Sequence, residues 1–262
     1  MLADSHCHLL DARLIDRADE IVANLERDGL EFIVQVGDSV SDSATGLEFA
    51  LRHERVYCTI GVHPHMLGDY TNEFEIWAVA VRNNEKIVAV GEVGLDYYHI
   101  THPKEFQAEI FTRQIRLAHE LKLPLVIHTR DAWTDTMAIL CDNREYLQHG
   151  ILFHCFSHGE TELREATEKL ETPTNAVYFA FGGWTRDNGA IAACPIDRML
   201  LETDSPYLNP PESGGKKILN EPKNVRHVCE YIASVRQIPL DEIARATLEN
   251  TKNFYKIGEG AK

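Results

Sequence analysis

The sequence predicts an α/β protein, a regular or distorted (β/α)8 TIM-type barrel forming a single domain of residues 1–262 with extra C-terminal helices. Three observations predict this fold. Eight short apolar runs alternate with amphipathic runs of helical spacing. The apolar runs are nearly continuous, which is typical of parallel strands covered by helices. A chain of 262 residues also suits a closed barrel, which takes about 250 residues as one domain.

Each predicted strand is an apolar run bounded by polar residues or glycine. The first begins at Met1 and ends in the sequence Asp4-Ser-His-Cys-His8, where successive side chains should point to opposite faces. His6 and His8 then point the same way, roughly 6.5 Å apart along the strand. The predicted strands cover residues 1–8, 31–37, 56–61, 87–92, 125–129, 150–155, 177–181 and 198–203.

Apolar residues spaced three and four apart predict helices between these strands. Gly29 ends the first helix, and Pro103 can open the longest one. The predicted helices cover residues 16–28, a run ending near 53, 72–84, 103–121, 132–148, 160–170, 188–193, 222–235 and 240–254. An open doubly wound sheet is the alternative fold, but no Gly-x-Gly-x-x-Gly sequence opens the first helix.

Composition restricts the class of protein. The chain is 44% hydrophobic and 26% charged, which are ordinary globular values. It has no apolar run of membrane-spanning length and no N-terminal targeting pattern, so we expect a cytoplasmic protein without membrane association. The six dispersed cysteines indicate reduced thiols. A net charge of −15 gives no support to non-specific nucleic-acid binding, so a phosphodiester substrate would need the positive field of bound metal ions.

Candidate metal-binding and acid/base residues follow most of the predicted strands. Barrel active sites lie at the carboxyl ends of the strands, so we expect these residues to converge. They are His6 and His8 at the carboxyl end of the first strand, then His63, Glu92, His128, His154 and Asp204 at or just after the ends of later strands. This donor set suits Zn, Mn, Fe or Co better than Ca, and Glu92 can bridge two ions. Cys7 and Cys155 should point away, towards the helices.

Such a centre would activate water for hydrolysis of a phosphodiester, amide or ester. Asp204 could orient the attacking water and take its proton. Glu202 lies on the same face but deeper, and we expect it to support an imidazole or an arginine. The other histidines are expected to be solvated or structural for the most part, His65 among them, with His99 and His102 the best candidates to border a substrate.

Seven motifs, in order along nearly the whole chain, resemble those of the TatD-type metal-dependent deoxyribonuclease family within the amidohydrolase-like barrels. The motifs are Asp4-Ser-His-Cys-His8, Gly61-Val-His-Pro64, Gly91-Glu-Val-Gly-Leu-Asp-Tyr-Tyr98, His128-Thr-Arg-Asp-Ala132, Phe153-His-Cys-Phe156, Glu202-Thr-Asp-Ser-Pro-Tyr207 and Asn220-Glu-Pro222.

The resemblance implies one or two divalent ions, Mg, Mn or Zn. One ion would be held by His6, His8, Glu92 and Asp204, and the other by Glu92, His128 and His154. It also implies a 3′-to-5′ exonuclease acting on DNA, with single-stranded DNA or a 3′ end as substrate and no obligate protein partner.

The resemblance also places His63 and Arg130 on the substrate side, near the scissile phosphate. Tyr97 and Tyr207 could stack on a terminal nucleotide, although each could equally pack its ring against neighbouring residues. Two departures concern the substrate rather than the metal ligands. The first is Leu219, which stands where members of the family often have an arginine; Lys216 and Lys217 supply positive charges nearby. The second is the segment 170–176, which lacks the usual glycine before the seventh strand.

Two other functions remain open. The first is a related metallohydrolase acting on an amide, ester, lactone or aminoacyl-RNA bond, which the acidic composition favours. The second is a binding protein without catalytic activity, which leaves the complete set of ligands unexplained. A zinc nucleobase deaminase is disfavoured because its His/Cys cluster is absent from the sequence.

Overall fold

The structure is a computed structural model that describes residues 1–183, 189–208 and 218–258. Within these ranges the strands are β1 Leu2–Cys7, β2 Leu30–Gln35, β3 Val56–Ile60, β4 Ile87–Asp96, β5 Leu125–Arg130, β6 Ile151–Phe153, β7 Val177–Phe181 and β8 Met199–Leu201. Lys216 and Lys217 lie outside the described residues, as does residue 188 of a predicted helix.

Helices follow the strands in the predicted rhythm. Those in the described ranges are α1 Ala18–Ala23, α2 Val40–Arg52, α3 Asn72–Val81, α4 Lys104–Leu121, α5 Trp133–Asp142, α6 Glu160–Leu170, α7 Ala190–Ala193, α8 Val225–Arg236 and α9 Leu240–Tyr255. In three of them a 3-10 turn replaces part of the predicted helix, at Ile15–Arg17, Arg144–Tyr146 and Pro222–Asn224. Helices α1 and α3 also end earlier than predicted, at Ala23 and Val81. No described helix is both long enough and apolar enough to span a lipid bilayer.

All strand pairs are parallel, and the eight-stranded sheet runs in chain order from β1 to β8. The ends of the sheet meet. The amide of Asp204 donates to the carbonyl of His6 at 3.0 Å, and the amide of His8 donates to the carbonyl of Ser205 at 2.6 Å. Cys7 and Ser205 also form a parallel bridge. These contacts exclude the open-sheet alternative and confirm the (β/α)8 barrel.

The longest strand differs from its prediction. β4 continues to Asp96, whereas the sequence predicted its end at residue 92. The strand continues because Gly94, at φ 143°, lets the backbone approach β5. A Cβ at this position would lie 2.0 Å from the carbonyl oxygen of His128. The extended β4 pairs with β5 as far as Asp96 and Arg130. The strand therefore has a second acidic side chain, that of Asp96, beyond Glu92.

The inside of the barrel is apolar at one end and polar at the other. Val126, Leu152 and Leu200 are buried in one cluster with Phe254 and Tyr255 of α9. Each of these strand residues is followed two positions later by a polar candidate residue on the same face. Tyr255 donates its hydroxyl to the carbonyl of Ser5 at 2.9 Å. Helix α9 therefore covers the amino ends of the strands, and the carboxyl ends are left for the site.

Candidate metal centre

Glu92 lies at the centre of the candidate site. Its side chain is buried, with 4% of its surface exposed. The adjacent Gly91 lies close to both neighbouring strands. If Gly61 carried a Cβ atom, that atom would lie 2.7 Å from the carbonyl carbon of Gly91. If Gly91 carried a Cβ atom, it would lie 2.6 Å from Val126. Only small residues fit at this crossing, and they hold Glu92 between the ends of β3 and β5.

The first group of ligand atoms faces Oε2 of Glu92. Nε2 of His6 lies 3.3 Å from this oxygen and Nε2 of His8 lies 3.8 Å from it. The two nitrogens are 3.3 Å apart. Oδ1 of Asp204 completes the group, 3.6 Å from Nε2 of His6 and 3.3 Å from Nε2 of His8. We call His6, His8 and Asp204 the first cluster.

The second group faces the other oxygen of Glu92. Oε1 lies 2.7 Å from Nδ1 of His128 and 2.7 Å from Nε2 of His154. The two nitrogens are 3.4 Å apart. Nε2 of His63 is farther from Oε1, at 3.6 Å. We call His128 and His154 the second cluster, with His63 at its edge. Each oxygen of Glu92 therefore faces a separate pair of imidazoles.

Unusual backbone conformations occur at or beside these candidate ligands. Asp204 has φ 53° and Cys155, directly after His154, has φ 44°. A positive φ is strained for residues other than glycine, and such residues concentrate at functional sites. The strain accompanies the turn of the chain away from the barrel at the end of β6 and after β8. Cys155 itself is a free cysteine, and its amide donates to Oε1 of Glu202 at 2.6 Å.

Burial and charge set opposite protonation tendencies within the first cluster. Burial lowers the pKa of His6. Burial also acts to lower the pKa of His8, but the hydrogen bond and charge of Asp204 and the charge of Glu92 raise it to about 9. For Asp204, burial acts to raise the pKa, and the contacts with His8 and His6 outweigh it and lower the pKa. Asp204 is thus ionised at neutral pH.

Glu92 is ionised as well. Burial acts to raise its pKa, but the charges of His154 and His63 and the hydrogen bonds of His128 and His154 bring it well below the usual value. Nitrogen and carboxylate oxygen atoms that converge in this way suit a divalent transition metal. Some groups of three side chains have one possible ligand atom each within 4.8 Å of the other two. One such group is His6, His8 and Glu92, and another is His63, Glu92 and His128. The donor set therefore fits one or two cations.

Glu202 forms a further set with His6 and His154. Its Oε1 lies 3.4 Å from Nδ1 of His154 and accepts the amide of Cys155. That oxygen already accepts a backbone amide and lies beside Nδ1, the ring nitrogen of His154 that faces away from Glu92. Glu202 is therefore better suited to orienting His154 than to binding a cation directly. This agrees with the supporting role expected from the sequence.

Asp96 and His65 are parts of the site that sequence reasoning missed. Oδ2 of Asp96 lies 3.0 Å from Nε2 of His128 and 3.1 Å from Nε2 of His65. Asp96 was overlooked because the strand was predicted to end at Glu92. The alternation of buried Val93 and Leu95 with Glu92 and Asp96 was the available signal, since it places both acids on one face of a longer strand.

The predicted substrate-side residues lie at different distances from the centre. His63 is at the edge of the second cluster, where its Nδ1 accepts the amide of His65 at 3.1 Å. Arg130 is exposed, two residues beyond His128 on β5, and its guanidinium lies 4.1 Å from the ring centroid of Tyr98. Leu219 is 44% exposed.

The two predicted stacking residues differ. The ring of Tyr207 is 41% exposed and packs edge-on against His8, with ring centroids 5.3 Å apart. Tyr97 is half-buried: Lys104 lies 3.8 Å from its ring centroid and its hydroxyl donates to Asp135 at 2.8 Å. Tyr97 thus has the environment of a ring packed against its neighbours, and its stacking role stays a prediction.

A cavity of about 250 Å³ opens beside the first cluster. His8 and Tyr207 line it, together with the acidic residues Asp11, Asp38 and Asp42. Burial, and then a hydrogen bond with Asp42, raise the pKa of Asp38 to about 7. The cavity gives a ligand access to the first cluster, and its wall is acidic.

Comparisons with known proteins agree with this geometry. A sequence model of the family described as TatD related DNase matches residues 3–256. YabD of Bacillus subtilis (strain 168), named as an uncharacterised metal-dependent hydrolase, is 35% identical over 263 residues, covering 98% of this chain and 100% of YabD. A Cronobacter sakazakii protein named 3′-5′ ssDNA/RNA exonuclease TatD is 34% identical over 227 residues, covering 83% of this chain and 84% of that protein.

Among solved structures, the crystal structure of YJJV, a TatD homologue from Escherichia coli K12, has a similar fold. Its TM-score to this chain is 0.86, with 24% identity over 98% of both chains.

Proposed function

The chain belongs to the TatD related DNase family of metal-dependent hydrolases, and from this membership we propose that it is a deoxyribonuclease that shortens DNA from the 3′ end. The observation that carries the proposal is the placement of Glu92. Its two oxygens face two separate groups of imidazoles, so that Glu92 would be able to hold two cations together. A pair of cations suits a phosphodiester, where charge develops on both the attacking and the leaving oxygen.

We assign one cation to His6, His8, Glu92 and Asp204, and the other to Glu92, His128 and His154. His154 is preferred to His63 because its Nε2 is nearer to Glu92, at 2.7 Å against 3.6 Å. In addition, Nδ1 of His63 accepts a backbone amide, so neutral His63 carries its proton on Nε2. His63 would then donate a hydrogen bond to the substrate. Mg, Mn and Zn are the proposed cations.

When bound, the cations would polarise the phosphodiester and lower the pKa of water. Asp204 would orient the attacking water and accept its proton, because it is ionised and its side chain is 14% exposed, against 4% for Glu92. Arg130 would bind the phosphate from the open end of β5. Tyr207 would border the terminal base beside His8.

We also propose that the substrate is single-stranded DNA. A cytoplasmic location is proposed as well, and the six free cysteines support the location.

A second candidate function is hydrolysis of an amide, ester or aminoacyl-RNA bond by the same centre. Asp38 and Asp42 in the cavity wall favour it, because carboxylates beside the first cluster repel phosphate and would accept a substrate amino group, whereas Asp11 is paired with Arg13.

The test of the proposed function is degradation of 5′-labelled and 3′-labelled single-stranded DNA by purified protein. Reactions contain Mg, Mn or Zn, or EDTA, and the Asp204→Asn variant is assayed beside the wild type. We expect metal-dependent shortening of 5′-labelled strands one nucleotide at a time, with early release of the 3′ label. Shortening from the 5′ end would reverse the polarity. No cleavage with any metal would favour the amide and ester hydrolase.

A further inference from the structure

Asp96 is a buried carboxylate whose two oxygens serve different parts of the site. Its side chain is 1% exposed at the end of β4. Oδ1 accepts the backbone amides of Tyr98 at 2.9 Å and His99 at 2.7 Å. Oδ2 lies 3.0 Å from Nε2 of His128 and 3.1 Å from Nε2 of His65. The backbone amide of Asp96 is itself held by the side-chain oxygen of Gln107 at 2.9 Å. These contacts leave Asp96 little freedom to move.

The contact with His128 determines which ring nitrogen can bind a cation. An ionised carboxylate only accepts hydrogen bonds, so Nε2 of His128 must carry the proton that faces Oδ2. Neutral His128 then has its lone pair on Nδ1. Nδ1 is the nitrogen that faces Oε1 of Glu92 and Nε2 of His154. The proton on one side of the ring thus leaves the other side available to a metal.

We propose that Asp96 is a positioning residue that sets the tautomer of His128 and so enables cation binding at the second cluster alone. The first cluster does not depend on it, because among the described residues the side chain of Asp96 contacts Tyr98, His99, His65 and His128, and forms no hydrogen bond or ion pair with the first cluster. The inference rests on the ligand assignment made under the proposed function, although it does not depend on the identity of the substrate.

Substitution of Asp96 by asparagine reverses the hydrogen bond with little change in volume. Two backbone amides point at Oδ1, so the oxygen of the new amide must occupy that position. Its NH2 group then faces His128 and donates to Nε2. The proton of neutral His128 moves to Nδ1, which can no longer bind a cation.

The first experiment is a zinc titration of metal-free protein followed by calorimetry, without DNA. We expect the wild type to bind two zinc ions. In Asp96→Asn the affinity of the second cluster should fall by about 10-fold to 100-fold, the usual effect of losing such a carboxylate partner. The affinity of the first cluster should stay within about threefold. Asp135→Asn, which removes the carboxylate bonded to Tyr97 outside the site, is the matched control and should bind as the wild type does.

A second measurement needs no variant. Imidazole 15N NMR of the zinc-loaded wild type should show the proton of His128 on Nε2. Unequal loss of zinc in Asp96→Asn together with this tautomer supports the proposal. A proton on Nδ1 in the wild type, equal weakening of both clusters, unchanged binding by Asp96→Asn, or absence of a second zinc ion in the wild type would each overturn it. DNA cleavage is assayed separately, so failure of the proposed nuclease activity would be seen independently.

Discussion

The two clusters beside Glu92 differ in what surrounds their imidazoles. The first has a carboxylate of its own, Asp204, and the Nδ1 atoms of His6 and His8 are buried without a hydrogen-bond partner among the described residues. In the second cluster, the ring nitrogen of His128 that faces away from Glu92 is hydrogen-bonded to Asp96, whereas the corresponding nitrogen of His154, Nδ1, lies 3.4 Å from Glu202 without forming a hydrogen bond. One cluster carries its negative charge among the ligand atoms, and the other carries it one layer farther out.

This difference predicts unequal cation sites. A cation at the first cluster would contact two carboxylates, Glu92 and Asp204. The first cluster should therefore bind a cation more tightly, since the attraction between opposite charges at short range is strongest where water is excluded. The second cluster should depend on outer residues that fix its imidazoles. Variants of the shared residue, of each cluster and of its surroundings can separate these contributions.

Glu92→Gln should have the largest effect because both clusters lose their common carboxylate. We expect the bound metal to fall below the wild-type number and the rate of cleavage to fall by about 10³-fold or more, since a cation contributes several kcal/mol. Metal content measured by mass spectrometry and single-turnover rates check this. Glu105→Gln, on the exposed surface of α4, is the control. Wild-type metal content in Glu92→Gln would refute the bridging role.

Asp204→Asn breaks only the first cluster and removes the proposed base. Cleavage should slow by about 10²-fold to 10⁴-fold, the usual contribution of a positioned proton acceptor, while the fold and the metal of the second cluster remain. The rate at saturating DNA and the metal content should be measured together, with the exposed Asp142→Asn as control. Unchanged activity would remove Asp204 from the mechanism.

Arg130→Ala tests the substrate side of β5. Loss of a charge-assisted hydrogen bond to phosphate costs about 1.5–3 kcal/mol, or roughly 10-fold to 100-fold in KM or kcat/KM for DNA. Steady-state kinetics on DNA and on a neutral ester distinguish the roles. An equal effect on the ester would argue against a phosphate contact.

Glu202→Gln should weaken the second cluster less than Asp96→Asn does. Oε1 of Glu202 serves both the amide of Cys155 and the imidazole of His154, and a glutamine oxygen can keep both contacts. We expect about a tenfold loss of affinity at the second cluster, at the lower end for such residues. Calorimetry gives this directly. A loss larger than that of Asp96→Asn would reverse the order that the contacts predict.

Proton release should make metal binding depend on pH at both clusters, because burial acts to lower the pKa of His8, His128 and His154 but the carboxylates beside them outweigh it and raise all three. The pKa of His8 is raised to about 9, so its imidazole is protonated in the metal-free protein at pH 7 and must lose that proton to bind a cation. Metal affinity should therefore rise by up to about tenfold per pH unit from pH 7 to 9, and level off above. Calorimetry in buffers of different ionisation enthalpy counts the released protons. A pH-independent affinity at the first cluster would contradict this assignment.

The fold could be predicted because buried parallel strands are continuous apolar runs and the helices between them have a clear period. The positions of the candidate ligands followed from the rule that barrel sites lie at the carboxyl ends of strands. The extension of β4 was missed, because the strand was predicted to end at residue 92, whereas Gly94 allows close approach to β5 and the strand continues to Asp96. Asp96 was missed with it.

Other features depend on side-chain rotation, which residue patterns do not contain. The sequence suggested that Glu92 could bridge, but its Oε1 and Oε2 acquire different partners only through the angle of the carboxylate between β3 and β5. Tyr97 and Tyr98 are neighbours of the same type, yet Tyr97 packs under Lys104 while Tyr98 is 58% exposed. Position on a strand identifies the candidates, and packing decides between them.

The bridging carboxylate is the central claim, and anomalous diffraction from zinc-soaked crystals tests it most directly. We predict two peaks at the zinc edge, one between Oε2 of Glu92 and the first cluster and the other between Oε1 and the second cluster. In Glu92→Gln crystals one or both peaks should weaken. A single wild-type peak, or two peaks that do not share Glu92, would contradict the account.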